Sequence, residues 1–315
     1  YSIDFLIKHL SKALIEKMDP TTRTIIRMAV WQLSFSDKVP DFAAVYQAVN
    51  LGNKYVPQAQ AYINAILRKI SDSPKDMLDL SSYKPEIACS LKPEIFGILK
   101  KSYGKEKAVR IGKAMLAPNG FSVRYNSKKT TKEAVINAFE AHEITASDGT
   151  FCNEAIHISD CGSQIDKTEP FTDGLVFVQN EAAMLASIIA NPSPKDKILD
   201  LCAAPGGKAT HLAQLTEDDC TVIALDINES RIKLIEENTQ RFKLNSITCK
   251  QADATIICDD PEFSPMLKSF DIVMADVPCS GLGLLARKPD IRRTITYERI
   301  QQLLPKQALI LQNAS

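Results

Sequence analysis

The stretch that most restricts how this chain can fold is ILDLCAAPGGKATHLAQL, residues 198–215. Ile198 to Leu201 reads as a short buried β-strand, Ala203 to Gly207 as a tight turn, and Lys208 to Leu215 as the start of a helix. In a doubly wound α/β sheet this turn opens on the ligand crevice, and glycine lets the backbone approach a ligand closely. The next strand, Thr221 to Asp226, ends in an acid about 20 residues further on, where a carboxylate can accept two ribose hydroxyls. The stretch is not a phosphate-binding Walker loop. Gly206-Gly207-Lys208 lacks the upstream glycine that such a loop needs, and Thr210 comes one place late. A glycine pair alone would suit any strand–helix–strand unit, so a second signal is needed.

That signal lies about 70 residues downstream of the turn. Phe270 to Asp276 (FDIVMAD) reads as another buried strand and runs into Pro278-Cys279-Ser280-Gly281. Its end should open on the same crevice, which places Asp276 and Cys279 beside whatever lies next to the ribose. A cysteine after a buried strand is commonly just a small hydrophobe. Here Asp276-Val277-Pro278 precedes it and Gly281, Gly283 and the basic Arg287-Lys288 follow, a setting for a presented thiol beside an anionic substrate.

CAAPGGK followed by DVPCSGLG resembles the S-adenosylmethionine-dependent RNA (cytosine-5)-methyltransferases, in both strings and in their spacing. VQNEAAMLASII, residues 178–189, is similar to that family's lead-in helix, and ARKPDIR, residues 286–292, to its segment after the cysteine. Upstream, DPTTRTIIRMAVWQL and AYINAILRKI resemble a NusB-like helical domain, a combination found in the bacterial Sun/RsmB-type branch. The resemblance covers essentially the whole chain. It implies a Rossmann-like methyltransferase sheet over 171–315, a basic segment with a small α/β RNA-binding module over 84–170, and a NusB-like all-α domain over 1–75. It also implies methyl transfer from S-adenosyl-L-methionine to carbon 5 of a cytosine in small-subunit (16S) ribosomal RNA. A different class of function is a non-catalytic NusB-like RNA-binding regulator with a vestigial cofactor fold. The intact CAAPGGK and PCS strings argue against such decay.

The resemblance also assigns residues. Cys202, Ala203, Ala204, Pro205, Gly206, Gly207 and Lys208 would cradle the methionine part of the cofactor, with Asp226 on the ribose and Asp253 on the adenine amino group. Asp253 follows the strand-like segment 246–250, where an acid equally serves as a helix cap. Asp276 would sit between cofactor and base. Carbon 5 of cytosine is too weak a nucleophile to attack a sulfonium methyl unaided, so a thiolate first adds to carbon 6. In the family a later Thr-Cys cysteine attacks and the Pro-Cys cysteine assists release. No Thr-Cys pair follows Asp276, so the nucleophile is expected beyond Ser315. Tyr1 likewise starts well inside the NusB-like pattern. Cys279 then assists product release or, by the logic of DNA cytosine-5 methyltransferases, attacks the base itself.

Composition excludes several classes. No apolar run approaches the roughly 18 residues of a membrane span, and no secretory signal pattern opens the chain. The eight cysteines lack CxxC spacing and there are only four histidines, so no metal site is expected. Unpaired thiols fit a cytoplasmic protein. Net charge is zero, but twelve Lys or Arg face three acids between Lys84 and Lys132. That surplus is either a solvated face or a phosphate-binding surface for RNA. The NusB-like domain implies a further RNA or protein contact.

Along the chain, residues 1 to about 72 read as helical. Asp19-Pro20 is a helix start, and Ile26, Ala29, Val30, Leu33 and Ile63, Ile66, Leu67, Ile70 form apolar stripes. Residues 71–85 read as a linker, with helix returning from Pro93 to Leu116. Phe121 to Tyr125 and Ala155 to Ile158 read as strands around a helix over 132–141. This small module is either an RNA-recognition-like subdomain or a structural connector. From Gly174 onward the pattern reads as one continuous sheet, with Ile232, Ile235, Thr239 and Phe242 on one helix face.

Overall fold

A computed structural model describes residues 1–117, 120–161 and 164–315. The chain forms two compact units, residues 1–118 with 281–297, and residues 119–280 with 298–315.

The first unit is helical: α1 (Ser2–Leu6), α2 (Pro20–Phe35), α3 (Asp41–Tyr55), α4 (Gln60–Ser71), α5 (Lys75–Leu78), α6 (Pro85–Ala88), α7 (Pro93–Tyr103) and α8 (Lys105–Ala114). Asp19 caps α2 as its sequence implies, accepting from the amides of Thr21 and Thr22 at 3.0 and 2.9 Å, with Pro20 in the first turn. Both expected stripes are buried, Ile26, Ala29, Val30 and Leu33 on α2 and Ile63, Ile66, Leu67 and Ile70 on α4. The segment read as a linker is instead packed. Its Leu78 and Leu80 enter the same core, which draws 75–82 into short helical turns.

The second unit carries two four-stranded sheets. The antiparallel sheet has the order β2-β3-β1-β4, from β1 (Phe121–Tyr125), β2 (Ile144–Asp148), β3 (Ala155–Cys161) and β4 (Val176–Val178). It packs α9 (Lys132–Glu140), with α10 (Glu169–Thr172) preceding β4. β4 corrects the sequence reading, which merged everything after Gly174 into one sheet: Val176–Val178 pairs antiparallel with β1 and completes the small sheet. Strand β2 is also absent from that reading, because its burial is irregular and only Ile144 is fully inside.

The parallel sheet has the order β7-β6-β5-β8, built from β5 (Lys197–Asp200), β6 (Thr221–Asp226), β7 (Ile247–Gln251) and β8 (Ile272–Met274). Its helices are α11 (Glu181–Ala190), α12 (Gly207–Leu215) and α13 (Glu229–Phe242). Ile232, Ile235, Thr239 and Phe242 are all buried, as the stripe on α13 requires. β8 is shorter than its apolar run, since only Ile272–Met274 pairs with β5 and the chain then leaves the sheet. The last helices are α14 (Ile291–Thr294), in the first unit, and α15 (Tyr297–Ala314). Arg292 of α14 donates to the carbonyls of Cys89 and Met115 at 2.8 and 2.7 Å, which holds the segment after Gly281 in the helical unit. No helix among the described residues is long and apolar enough to cross a membrane.

The small sheet and the parallel sheet are joined by the half-buried Arg241 as well as by the fully buried Arg124. Arg241 on α13 donates to the carbonyls of Phe171 and Val176 at 2.7 and 2.9 Å and lies 4.1 Å from the centre of the Phe171 ring. Burial pushes its guanidinium down to about 10. The three central residues of β1 are buried, so this central strand offers no open face for stacking bases.

Candidate functional site

Because β5 to β8 run parallel, their C-terminal ends share one edge of the sheet. A cavity of about 270 Å³ opens there, lined by Cys202, Asp226, Ile227, Arg231, Asp253, Asp276 and Pro278, and closed by Leu303, Lys306 and Ile310 of α15. Of the residues singled out in the sequence, the structure brings Cys202, Asp226, Asp253 and Asp276 to this cavity. The α15 side chains and Arg231 carry no sequence signal for the site.

Asp226, at the end of β6, is buried. It accepts from the Asn228 amide at 3.1 Å and lies 3.3 Å from the Arg231 guanidinium. Asp253 accepts from the amide and hydroxyl of Thr255 at 2.9 and 2.7 Å, so it caps the following turn while also facing the cavity. Asp276 pairs with Lys208, an ion pair that joins the glycine turn to the segment before Cys279. Cys279 is exposed just beyond the strand end.

The rest of the turn lies beside the cavity rather than lining it. The Ala203 amide donates to Leu225 at 2.8 Å, the Ala204 carbonyl accepts from Arg231 at 3.2 Å, and the Pro205 carbonyl accepts from Asn238 at 2.9 Å. Gly206 has φ +99°, and a Cβ there would stand 3.2 Å from Ile235. A Cβ on Gly207 would stand 3.2 Å from Phe177. Both glycines therefore answer to packing as well as to ligand approach.

Asp200, the last residue of β5, was not singled out in the sequence. It is fully buried, and among the described residues its Oδ2 has no hydrogen-bond partner. Burial pushes its carboxyl up to about 7, opposed by the Cys202 amide and Lys208 and reinforced by Asp276 and Asp226. The same burial and carboxylates push the Cys202 thiol up to about 11, so Cys202 is a poor nucleophile at neutral pH. An acid at the end of the first strand was visible in the string ILDL, but its burial and its acidic neighbours were not. The result is an acidic end of the sheet, suited to a cationic group with hydroxyls to be held nearby.

The basic segment divides in two. Lys128 pairs with Glu217, Lys132 with Asp148, Arg124 is buried, and Lys92 donates to the Ile295 carbonyl at 2.8 Å. Lys100, Lys101, Lys105, Lys107, Arg110 and Lys113 are exposed on α7 and α8. Lys84, Lys128 and Lys129 are exposed as well, so the exposed cations of 84–132 gather chiefly on these two helices.

Three family models match the chain: 16S rRNA methyltransferase RsmB/F over residues 187–315, the NusB family over 1–72, and an RsmF/B-like ferredoxin-like domain over 96–163. The chain is 28% identical over 301 residues to a probable ribosomal RNA small subunit methyltransferase B of Bacillus subtilis, covering 93% of this chain and 65% of that protein. It is 29% identical over 314 residues to the Synechocystis protein of the same description, covering 98% and 70%. Among solved structures, that of PH0851 is similar with a TM-score of 0.82 at 23% identity, covering 99% of this chain and 70% of that one. NSun6 from Pyrococcus horikoshii, solved with SFG, is similar with a TM-score of 0.64 at 19% identity, covering 71% and 79%.

Proposed function

We propose that this chain, which the RsmB/F methyltransferase model matches over residues 187–315, transfers a methyl group from S-adenosyl-L-methionine to carbon 5 of a cytosine in small-subunit ribosomal RNA. The observation that carries the reading is the acidic cavity at the strand ends, where Asp226, Asp253 and Asp276 converge next to buried Asp200. Carboxylates suit a sulfonium cation, an amino group and a ribose diol, and Ile227, Ala254 and Leu303 supply apolar walls for a base. When bound, the cofactor supplies an electrophilic methyl group.

In this reading Asp226 accepts from the ribose hydroxyls, Asp253 from the adenine amino group, and Cys202 with the turn up to Lys208 borders the methionine part. Asp276, oriented by Lys208, holds the cytosine edge. Cys279 takes part in product release, with direct attack on carbon 6 as its alternative role. The exposed lysines of α7 and α8 bind RNA phosphates. Residues 1–75 act as the NusB-like domain, 84–170 as the basic helices and small module, and 171–315 as the methyltransferase domain, in a cytoplasmic protein.

The test is calorimetric titration with S-adenosylmethionine. Asp226→Ala removes a charged acceptor for two hydroxyls, and each such bond contributes about 1.5–3 kcal/mol, so affinity should fall at least about tenfold. Equal affinity in parent and variant would remove Asp226 from the cofactor site.

A further inference from the structure

We infer that Arg124 is a positioning residue for the glycine turn: reaching out of the small antiparallel sheet, it holds the first turn of α12 in the place that cofactor binding requires. This inference rests on the reading of the cavity given above.

Alternation along β1 sends Val123 into the core with Val135, Phe139 and Ile156, and Arg124 to the opposite face. Arg124 is fully buried there. Its Nη1 donates to the Gly207 carbonyl at 2.8 Å and to the Gln179 side chain, and its Nη2 donates to the Thr210 hydroxyl at 3.0 Å. Its Nε donates to the Gln214 side chain at 3.1 Å. Thr210 in turn donates to the Gly206 carbonyl at 2.7 Å. One planar fork thus reaches the backbone of Gly207 directly and that of Gly206 through a hydroxyl, and these are the two glycines of the turn.

Stability alone does not favour this arrangement. A cation beside a helix N-terminus opposes the helix dipole, and a buried charge commonly stabilises less than an apolar residue of similar size. Glu154 compensates in part. It is bonded to buried His211 of α12 at 2.6 Å, and although burial works against its charge, His211 and Arg124 together hold its carboxyl below the usual range. Phe177 and Phe242 flank the guanidinium at 5.5 and 5.8 Å, and Phe177 is also the ring that meets Gly207. The turn is therefore held by groups belonging to the small sheet as well as by its own helix.

Arg124→Lys keeps the charge and loses the fork, and Thr210→Val removes the hydroxyl link to Gly206 with little change of shape. The test compares both variants with the parent chain in two measurements. Amide exchange of residues 206–210 is read in the ligand-free protein, and S-adenosylmethionine affinity is read by calorimetry well below the melting temperature. For Arg124→Lys we expect exchange at 206–210 to quicken about tenfold relative to α13, and the dissociation constant to rise about tenfold. For Thr210→Val, which also leaves the buried Nη2 of Arg124 without this acceptor, we expect about a threefold rise and exchange at 206–210 to quicken more than that of α13. A residue that only contributed to global stability would lower the melting temperature and quicken α13 equally, which would overturn the inference. Unchanged exchange and affinity in Thr210→Val would overturn it too, even if Arg124→Lys fails to fold. A parent chain that binds no S-adenosylmethionine would sink the reading of the cavity, and the ligand-free exchange would still decide whether Arg124 positions the turn.

Discussion

Replacing Asp200 with asparagine should make the folded protein less sensitive to alkali. Asp200 is fully buried and its carboxyl is pushed up to about 7, from 3.8 in an unfolded chain. Between these values the folded state keeps a proton that the unfolded chain has released, so this group's contribution to stability falls as pH rises through that window. Each pKa unit corresponds to about 1.4 kcal/mol, so the ceiling over the whole window is about 4 kcal/mol. Asparagine has nearly the same shape and cannot ionise. The stability difference between Asp200→Asn and the parent should therefore widen by about 2–3 kcal/mol between pH 5 and pH 8. The single tryptophan, Trp31, lies on α2 in the other unit and does not report on this sheet. The assay is native-state amide exchange on β5 and β6, corrected for intrinsic rates. Parallel pH profiles for the two proteins would refute the idea that burial holds Asp200 protonated. A second consequence concerns binding. A sulfonium cation nearby favours the ionised carboxyl, so cofactor binding near pH 7 should release protons in the parent and not in the variant. Calorimetry in two buffers of different ionisation enthalpy reads this directly.

Gly206→Ala should destabilise the second unit by about 1–3 kcal/mol, because the left-handed backbone strains any side chain there; an unchanged melting temperature would contradict this. Reversing the charges of Lys100, Lys101 and Lys105 should flatten the salt dependence of RNA affinity by about 0.7–0.9 for each phosphate that is no longer neutralised. An unchanged slope in filter binding would show that α7 and α8 present only a solvated face. Cys279→Ser should leave S-adenosylmethionine binding within about twofold of the parent, and where another cysteine attacks the base a covalent RNA adduct should accumulate on denaturing gels. Loss of both adduct and methylcytosine would instead make Cys279 the nucleophile.

Local sequence patterns anticipated much of the fold. The cap at Asp19, the stripes on α2 and α4, strand β1 and strand β6 all lie where short-range propensity and periodicity place them. These signals are legible because each depends on neighbours within a turn or two of the same element. β4 escaped because its three residues carry no direction: the same apolar run pairs equally well with either sheet until a partner strand is chosen.

The site divides along the same line. Asp226, Asp253 and Asp276 could be read from the chain because strand ends in a parallel sheet share one edge, so their order along the sequence already implies convergence. Arg124 could not. In the string FSVRY it reads as an exposed basic residue on an alternating strand, and only the docking of α12 against that face buries it among four acceptors. Asp200 acquires its raised pKa for a similar reason, since the burial that chiefly raises it, and the carboxylates of Asp276 and Asp226 that add to it, depend on elements far along the chain. The sequence by itself determined which elements form and where an acid or a glycine stands on each. Tertiary structure alone decided which charges meet and how dry their surroundings are, because burial and electrostatic coupling depend on distances between elements that no local pattern encodes.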